Sequence, residues 1–354
     1  MSVRKVLVIR FRRIGDAVLS VVICSSLRKS FPEAEIHYVL NDHIAPLFEN
    51  HPDIDKIITF SDEENNHFFE YLRKVRQLMK TERYDVIIDT RATIKTLWFS
   101  AFSLRTKYRI GTSKFYNHFF HNYRVRNHVN DDLDEVVRNL LLLRPLERER
   151  KLIMTTDFRL YVTEQETAEF KSYMEQKGIN FSRFIVVCTP FTRVARKAWD
   201  MAKMKEILSR IIQRYGAQLI FNYSRIEKEA ALALYEDMGK DEHIFIDIEA
   251  DSLRKLVSML ETADFFFGNE GGPRHIAQAC HLPGLAIYPP WVELPRWLPS
   301  NDPRYQSVSP FDMFPGQVIE GRTEKELFDL LSVEYVWERL QPMMDEAFIR
   351  KAKL

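Results

Sequence analysis

Residues 5–27, KVLVIRFRRIGDAVLSVVICSSL, decide the fold class of this chain. The run from Lys5 to Arg10 is short, apolar and rich in β-branched residues, which predicts a β-strand. A turn follows at Gly15-Asp16, and the apolar residues after it recur at helical spacing until Pro32. A strand, a loop and a helix in this order indicate the start of an α/β domain.

The same alternation recurs in two series along the chain. The first series predicts strands at residues 36–40, 56–60 and 85–89 and a helix at 68–79. The second series predicts strands at residues 183–189, 218–223, 243–247, 264–269 and 284–288. Strands that alternate with helices form a parallel sheet that is covered on both faces. We therefore expect an α/β protein of two Rossmann-like domains facing each other across a cleft, where ligands bind in this architecture.

The polar stretch of residues 145–177 separates the two series and contains the expected domain boundary. A chain of 354 residues also exceeds the size at which one hydrophobic core usually keeps growing. We predict an N-terminal domain at residues 1–165 and a C-terminal domain at residues 166–330. An amphipathic pattern that starts at Ser332 predicts a final helix within residues 331–354.

The composition excludes several classes of protein. The 51 basic and 50 acidic residues nearly cancel, which argues against a dedicated nucleic-acid binder. Cys24, Cys188 and Cys280 lie far apart in apolar stretches, so neither a disulfide framework nor a zinc site is expected. The apolar run of residues 6–9 is too short for a signal peptide or a membrane-spanning helix. We expect a cytoplasmic protein, and a monomer.

Residues 269–275, NEGGPRH, are the strongest candidate for a ligand site. They follow an apolar strand and open a helix, and consecutive glycines let the backbone approach a ligand. Pro273 suits the first helical turn, and free backbone amides at a helix start bind anions. An ordinary helix start is the alternative. The sequence contains neither a Gly-x-Gly-x-x-Gly nor a Walker motif, which removes the simplest dehydrogenase and kinase interpretations.

Four segments, in the same order along the chain, resemble motifs of glycosyltransferase family 9. Residues 269–279, NEGGPRHIAQA, are similar to its donor-phosphate signature, Asn-Asp-Ser/Thr-Gly-Pro-x-His before an alanine-rich helix. Residues 10–20, RFRRIGDAVLS, resemble the family's first loop, x-x-Ile-Gly-Asp. Residues 196–199, RKAW, resemble its Lys-x-Trp segment, and residues 89–91, DTR, fall at its Asp-x-x motif. The resemblance covers essentially the whole chain.

The resemblance implies a GT-B fold and an inverting transfer of a sugar, a heptose, from a nucleotide-diphosphate sugar such as ADP-heptose. The implied acceptor is an anionic glycolipid, the growing lipopolysaccharide core. No cofactor and no metal are expected to be required. Asp53-Ile-Asp55 and Asp132-Leu-Asp134 have the spelling of a metal motif, but both are interpreted as solvated surface.

The resemblance also assigns roles to single residues. Asp16 matches the family's general base, and a positioned carboxylate can take a proton from an acceptor hydroxyl; an ordinary helix N-cap is the alternative. Lys197 lies in the segment that matches Lys-x-Trp and is expected to supply a cation to the leaving diphosphate; an exposed lysine is the alternative. The donor site is expected to comprise Thr192, Lys197, Glu227, Glu270, Gly271, Gly272 and His275.

Glu227 has two interpretations of equal weight. It resembles the family carboxylate that binds the nucleoside ribose, and a glutamate in a first helical turn also compensates the helix dipole. Three positions depart from the family pattern: Glu270 replaces Asp, Gly271 replaces Ser/Thr, and Asp200 stands where Pro is usual. These departures leave open a different donor or a non-catalytic scaffold that binds a nucleotide sugar. A GT-B nucleotide-sugar epimerase is the other alternative.

The segment of residues 91–130 contains no Asp or Glu and interleaves basic with aromatic residues. This composition suits an anionic amphiphile or the inner-membrane surface, with RNA as a competing partner. A helix's buried face is the simpler interpretation for Trp98, Phe99 and Phe102. We expect the acceptor to contact Arg12, Arg13, Asp89, Arg91, Arg124 and Arg126.

Overall fold

The computed structural model describes residues 3–126, 133–292, 294–298, 302–313 and 321–353. The chain divides into two compact units, Met1–Tyr161 and Val162–Leu354. Each unit is built on a parallel sheet with helices between its strands, so the predicted α/β class with two Rossmann-like domains is confirmed. Among the described helices, none is long and apolar enough to cross a membrane.

The described part of the first unit contains a six-stranded parallel sheet. Its strands are β1 (Lys5–Ile9), β2 (Glu35–Asn41), β3 (Lys56–Phe60), β4 (Val86–Asp89), β5 (Tyr108–Thr112) and β6 (Tyr123–Val125). Its helices are α1 (Ile14–Ser30), α2 (Asp62–Asn66), α3 (Phe68–Glu82), α4 (Leu97–Ala101) and α5 (Glu135–Leu141). The spatial order of the strands is β3-β2-β1-β4-β5-β6.

Helix α1 is buried on almost every side, because its residues are apolar or small all round rather than on one stripe. On the sheet face that α3 covers, Tyr71, Val75 and Met79 pack against the strands. Phe99 of α4 is fully buried in the same cluster, and Trp98 and Phe102 pack on it while partly buried. The interpretation of these three residues as core is therefore confirmed.

The second unit repeats this plan. Its described strands are β7 (Ile185–Thr189), β8 (Gln218–Phe221), β9 (Ile244–Phe245), β10 (Phe265–Asn269), β11 (Gly284–Ile287) and β12 (Tyr305–Val308). Its helices are α6 (Glu164–Gln176), α7 (Met201–Tyr215), α8 (Lys228–Asp237), α9 (Leu253–Thr262), α10 (Gly272–Ala279), α11 (Leu294–Trp297), α12 (Pro310–Met313), α13 (Glu324–Asp329) and α14 (Val333–Lys351). The strands are parallel in the order β12-β11-β10-β7-β8-β9.

The two sheets have the same topology when each is numbered from its own first strand. In both, the order is 3-2-1-4-5-6, so the direction of winding reverses between the first strand and the fourth. These neighbours are β1 and β4 in one unit and β7 and β10 in the other. Ligands of doubly wound sheets bind beyond the carboxyl ends of the strands at this switch point. The loops that follow these four strands are therefore the places to look for a site.

The final helix belongs to the second unit. Ser332 caps α14, as its side chain accepts a hydrogen bond from the amide of Tyr335. Arg214 of α7 forms an ion pair with Asp345 of α14 at 3.1 Å. The hydroxyl of Tyr215 also donates to Asp345 at 2.8 Å. These contacts fix α14 against α7.

Gly268 is required for the close approach of β10 to β7. A β-carbon at Gly268 would lie 2.5 Å from the backbone oxygen and 2.7 Å from the backbone nitrogen of Thr189. Backbone atoms of a central strand cannot move aside as a flexible side chain does. A β-carbon at Gly271 would meet nothing nearer than the ring of Pro273, at 3.7 Å.

We expect Gly268→Ala to lower the free energy of unfolding by about 1–3 kcal/mol, the usual cost of overpacking a core. Urea denaturation would measure the loss, with Gly271→Ala as the control that changes stability much less. Equal stability of both variants and the wild type would contradict the close packing at this switch point.

Candidate functional site

The loop after β1 has an unusual backbone. Arg12 and Arg13 both adopt left-handed conformations, with φ of 64° and 56°. Residues other than glycine rarely do so, and such strain concentrates at functional sites. Arg13 is the N-cap residue of α1 but makes no side-chain cap hydrogen bond, and both arginine side chains are exposed. The strained loop thus presents two guanidinium groups at the start of α1.

Asp16 is the third residue of α1, so the alternative of an ordinary N-cap is wrong. Its carboxylate is nearly buried and accepts a hydrogen bond from Arg10, which is 5% exposed. Arg10 also donates to the hydroxyl of Thr90 at 3.3 Å and lies 3.7 Å from Glu135. A buried guanidinium therefore holds the candidate base in place. Sequence reasoning missed Arg10, although a charged residue at the end of an apolar strand was a usable signal.

Asp89 ends β4 and has no exposed surface, which excludes the predicted direct contact with an acceptor. Its Oδ1 accepts hydrogen bonds from the backbone amides of Arg91 and Ala92, at 3.1 and 2.8 Å. Burial raises the pKa of the Asp89 carboxyl. Asp89 therefore shapes the turn that carries Arg91.

The structure brings some of the predicted acceptor residues together and separates others. Arg91 is half-buried, and burial followed by the nearby Arg10 guanidinium lowers its pKa. Arg91 and the exposed pair Arg12 and Arg13 follow the adjacent strands β4 and β1. Arg124 and Arg126 belong to the outer strand β6 and the residues after it, roughly 14 Å from β1 across three strand spacings. Arg126 is the last described residue before the gap, and residues 127–130 of the acid-free segment lie outside the described part of the chain.

In the second unit, Asn269 ties the two switch-point loops together. Its side-chain oxygen accepts a hydrogen bond from the amide of Trp199 at 3.0 Å, and its nitrogen donates to the carbonyl of Pro190 at 2.7 Å. Asn269 is only 2% exposed, and the Trp199 indole is buried and donates to the carbonyl of Leu331. The loop after β7 is thereby fixed to the end of β10.

Lys197 is not a free surface lysine, so that alternative is wrong. Its ammonium group lies 2.8 Å from the carboxylate of Glu270, and both side chains are partly buried. One residue follows β7 and the other follows β10, so the ion pair spans the switch point. An anionic ligand at this place would compete with Glu270 for the lysine.

Helix α10 starts beside this ion pair. Its N-cap is Gly271 in an extended conformation, and no side chain caps the helix. Gly272 and Pro273 begin its first turn. Pro273 has no N–H, and the other free backbone N–H groups of this turn carry the positive end of the helix dipole. The absence of a side chain at Gly271 leaves the helix start open to a ligand.

His275, a residue of the predicted donor site, is buried at the start of α10. Burial, and secondly the adjacent Arg274, lower the pKa of the His275 imidazole well below its ordinary value, so the ring is neutral at neutral pH. Its Nδ1 accepts a hydrogen bond from the Arg274 guanidinium at 2.8 Å. Arg274 is itself 4% exposed and donates to Gln278 and to the carbonyl of Trp297. Sequence reasoning missed Arg274, a variable position inside the motif, as the buried cation of this loop.

The remaining predicted donor residues make local hydrogen bonds. The Thr192 hydroxyl donates to the carbonyl of Val194 at 2.6 Å. Oε2 of Glu227 accepts from the amide and hydroxyl of Ser224, which forms a capping box and supports the helix-start interpretation. Asp200 caps α7 through the amide of Lys203, which explains why an acid suits the position where the family has proline.

Three aspartates of the two Asp-x-Asp segments have hydrogen-bond partners within the protein. Asp53 accepts from Ser25, Asp55 accepts from the amide of Ile36, and Asp134 caps α5. Asp132 lies outside the described residues.

One further group of ligand-type side chains, Glu35, His37 and Glu82, lies at the amino end of the first sheet. The Lys5 ammonium contacts both carboxylates, at 2.9 and 2.5 Å, and so occupies the cation's place.

The sequence and the fold of this chain are similar to those of known glycosyltransferases. The family model "Glycosyltransferase family 9 (heptosyltransferase)" matches residues 72–302. Lipopolysaccharide heptosyltransferase 3 of Escherichia coli K12 is 24% identical over 79% of this chain and 83% of that protein. A family 9 glycosyltransferase structure from Veillonella parvula has a TM-score of 0.81 at 16% identity, with 98% of each chain covered. The E. coli heptosyltransferase WaaC with ADP-2-deoxy-2-fluoro heptose has a TM-score of 0.67 at 16% identity, over 97% of this chain and 99% of that one.

A more distant fold neighbour is the UDP-GlcNAc 2-epimerase of Methanocaldococcus jannaschii. It has a TM-score of 0.50 at 13% identity over 92% of this chain and 91% of that one. A likeness of this size shows a shared fold alone.

Proposed function

Because this chain belongs to glycosyltransferase family 9, we propose that it transfers a heptose from ADP-heptose to a lipopolysaccharide core acceptor, with inversion at the anomeric carbon. The observation that carries the proposal is the anion site of the second unit, where Lys197 and the open start of α10 lie at one switch point. A relative of the same family was solved with an ADP-heptose analogue. A nucleoside diphosphate is the ligand that such a site suits.

The leaving diphosphate acquires negative charge as the sugar departs, so fixed positive groups at its oxygens lower the barrier. We assign this role to Lys197 and the backbone amides of Gly271 and Gly272. Buried Arg274 adds positive potential behind the loop, because its hydrogen-bond partners in the described structure are uncharged. Thr192 and the second carboxylate oxygen of Glu227 are assigned to the diphosphate and the ribose. No metal is required in this scheme.

Asp16 is the proposed general base. The acceptor oxygen attacks the anomeric carbon, the carbon–oxygen bond to the diphosphate breaks, and the acceptor's proton passes to the Asp16 carboxylate. Arg10 holds one oxygen of this carboxylate, which fixes its orientation. Positioning of this kind contributes to rate because it is made before the reaction starts.

The acceptor is proposed to be anionic, because Arg12, Arg13 and Arg91 converge near Asp16 with few acids to balance them. We further propose that the protein works in the cytoplasm, in peripheral contact with the inner membrane. Ile94 and Phe115 are 70% and 89% exposed and lie in the loops that follow β4 and β5. Each has a lysine beside it in the chain, Lys95 and Lys114, as interfacial segments usually do.

The donor assignment predicts the effect of two substitutions on ADP affinity. Lys197→Ala removes a charged hydrogen bond and leaves Glu270 facing the diphosphate, so binding should weaken by about 1.5–3 kcal/mol. Glu270→Gln keeps the shape, removes the competing charge and should not weaken binding. Calorimetric titration with ADP would measure the affinity of each variant. The same titration of the wild type with UDP, GDP and CMP would show which nucleobase the site prefers. Unchanged affinity in Lys197→Ala would contradict the donor assignment.

The base assignment predicts that Asp16→Asn loses transfer while the protein stays folded. Asparagine preserves the shape and accepts from Arg10 but cannot take a proton, so turnover should fall by roughly 10²–10⁴-fold. ADP affinity should stay within about two-fold of the wild-type value. Transfer is measured with ADP-heptose and a lipopolysaccharide core acceptor. Near-normal turnover in this variant would remove Asp16 from the reaction.

Two outcomes of that assay would favour the alternative functions. Conversion of ADP-heptose to an isomer without any acceptor would indicate an epimerase. Tight ADP binding with no conversion of any kind would indicate a scaffold.

The membrane assignment predicts that Ile94→Ser and Phe115→Ser reduce binding to vesicles that contain phosphatidylglycerol. Each buried aliphatic or aromatic side chain contributes about 1.5–3 kcal/mol, so each variant should bind roughly ten-fold or more weakly. Ile226→Ser is the matched control, because Ile226 is also 70% exposed but belongs to the second unit. Flotation of the purified variants measures the effect. An equal loss of vesicle binding in all three variants would indicate nonspecific hydrophobic binding and contradict the membrane assignment.

A further inference from the structure

Asp89 and His121 are buried titratable residues that face each other at the carboxyl end of the first sheet. The proposed reaction uses neither of them. Asp89 and His121 are 0% and 1% exposed, and the nearest atoms, Oδ2 and Nε2, are 3.7 Å apart. In the described structure neither of these two atoms has a hydrogen-bond partner. A buried polar atom without a hydrogen-bond partner lowers the stability of the fold, so two such atoms facing each other indicate a role other than stability.

The hydrogen-bond network fixes which nitrogen of His121 carries the proton. The side-chain amide of Asn117 lies 3.2 Å from Nδ1, and since an amide nitrogen donates, Nδ1 accepts. The neutral ring therefore carries its hydrogen on Nε2, which faces Asp89. Burial lowers the pKa of His121, which favours this neutral form.

The pair connects two loops at the carboxyl end of the first sheet. Asp89 uses its other oxygen, Oδ1, to hold the turn of Arg91 and Ala92. His121 ends the loop of residues 113–121, whose other inward anchors are Asn117 and the Tyr116 hydroxyl, which donates to the carbonyl of Ala92 at 2.9 Å. The exposed Lys114 and Phe115 stand on this loop. Movement of His121 is therefore coupled, through Asp89, to the turn of the proposed acceptor residue Arg91 and to the loop proposed to meet the membrane that carries the acceptor.

Strand β5 is shaped to receive the ring. A β-carbon at Gly111 would lie 2.4 Å from two atoms of the His121 imidazole. The ring thus packs directly against β5 at Gly111, and any side chain there would displace it.

We propose that His121 is a positioning residue for the acceptor, which sets the place of the loop 113–121 through its pairing with Asp89. The inference rests on the proposed transfer to an anionic acceptor. It assigns His121 no contact with either substrate. An Nε2–Oδ2 distance of 3.7 Å is longer than a hydrogen bond, and a shift of roughly 0.7 Å would form one. Catalytic networks often tighten in this way when the substrate binds.

The test compares His121→Phe, which keeps a ring but cannot donate, with His121→Gln, whose amide can still reach Asp89. His121→Phe should raise the acceptor KM by at least roughly ten-fold, the effect of a hydrogen bond to a charged group. Its kcat and ADP affinity should stay within about two-fold of wild type, and His121→Gln should recover much of the loss. His118→Ala is the control, since His118 is an exposed histidine of the same loop.

A second readout needs no substrate. Trypsin should cleave after Lys114 faster in His121→Phe and in Gly111→Ala than in wild type or His118→Ala, because the loop is no longer held. Unchanged cleavage, an unchanged acceptor KM, or equal losses of acceptor and ADP affinity would each overturn the inference. A wild-type protein that transfers no sugar would contradict the proposed function alone, since the cleavage comparison would still stand.

Discussion

The reversal of strand order beside the first strand of each sheet is the constraint on which both candidate sites depend. In a doubly wound sheet the chain leaves two such strands towards opposite faces, so the loops after them diverge and leave space above the sheet. The loops after β1 and β4 place Arg10, Asp16 and Arg91 around one such space. The loops after β7 and β10 place Lys197 and Glu270 around the other.

Sequence reasoning predicted the strands that form the centres of the sheets, because central parallel strands are buried on both faces and appear as continuous apolar runs. KVLVI and FFFGN are such runs, and the structure has them as β1 and β10. The strands β5, β6 and β12 were missed. Their residues, YRIGT, YRV and YQSV, mix polar and apolar types, as strands near a sheet edge do.

A site residue could be predicted from the sequence when a short motif contains it, and not when its role depends on residues far away in the chain. Asp16 and Lys197 were recognisable because short motifs carry them, and the structure puts each at a switch point. Asp89 lies buried opposite His121, which is 32 positions away in the chain, and no local sequence pattern predicts such a pair. The neutral state of His275 likewise depends on burial, which a motif does not encode.

In the proposed reaction, the ion pair between Lys197 and Glu270 has a consequence for the release of the nucleotide product. Once the sugar has gone, the diphosphate that remains carries more charge than the donor did, and fixed cations would retain it. The Glu270 carboxylate lies 2.8 Å from the Lys197 ammonium group. Because it belongs to the same chain, it competes with the diphosphate for the lysine at a high effective concentration. In the proposed reaction this carboxylate would shorten the time for which the nucleoside diphosphate stays bound, and product release limits the turnover of many enzymes. Glu270 would thus lower the affinity for the product and raise the rate of its release.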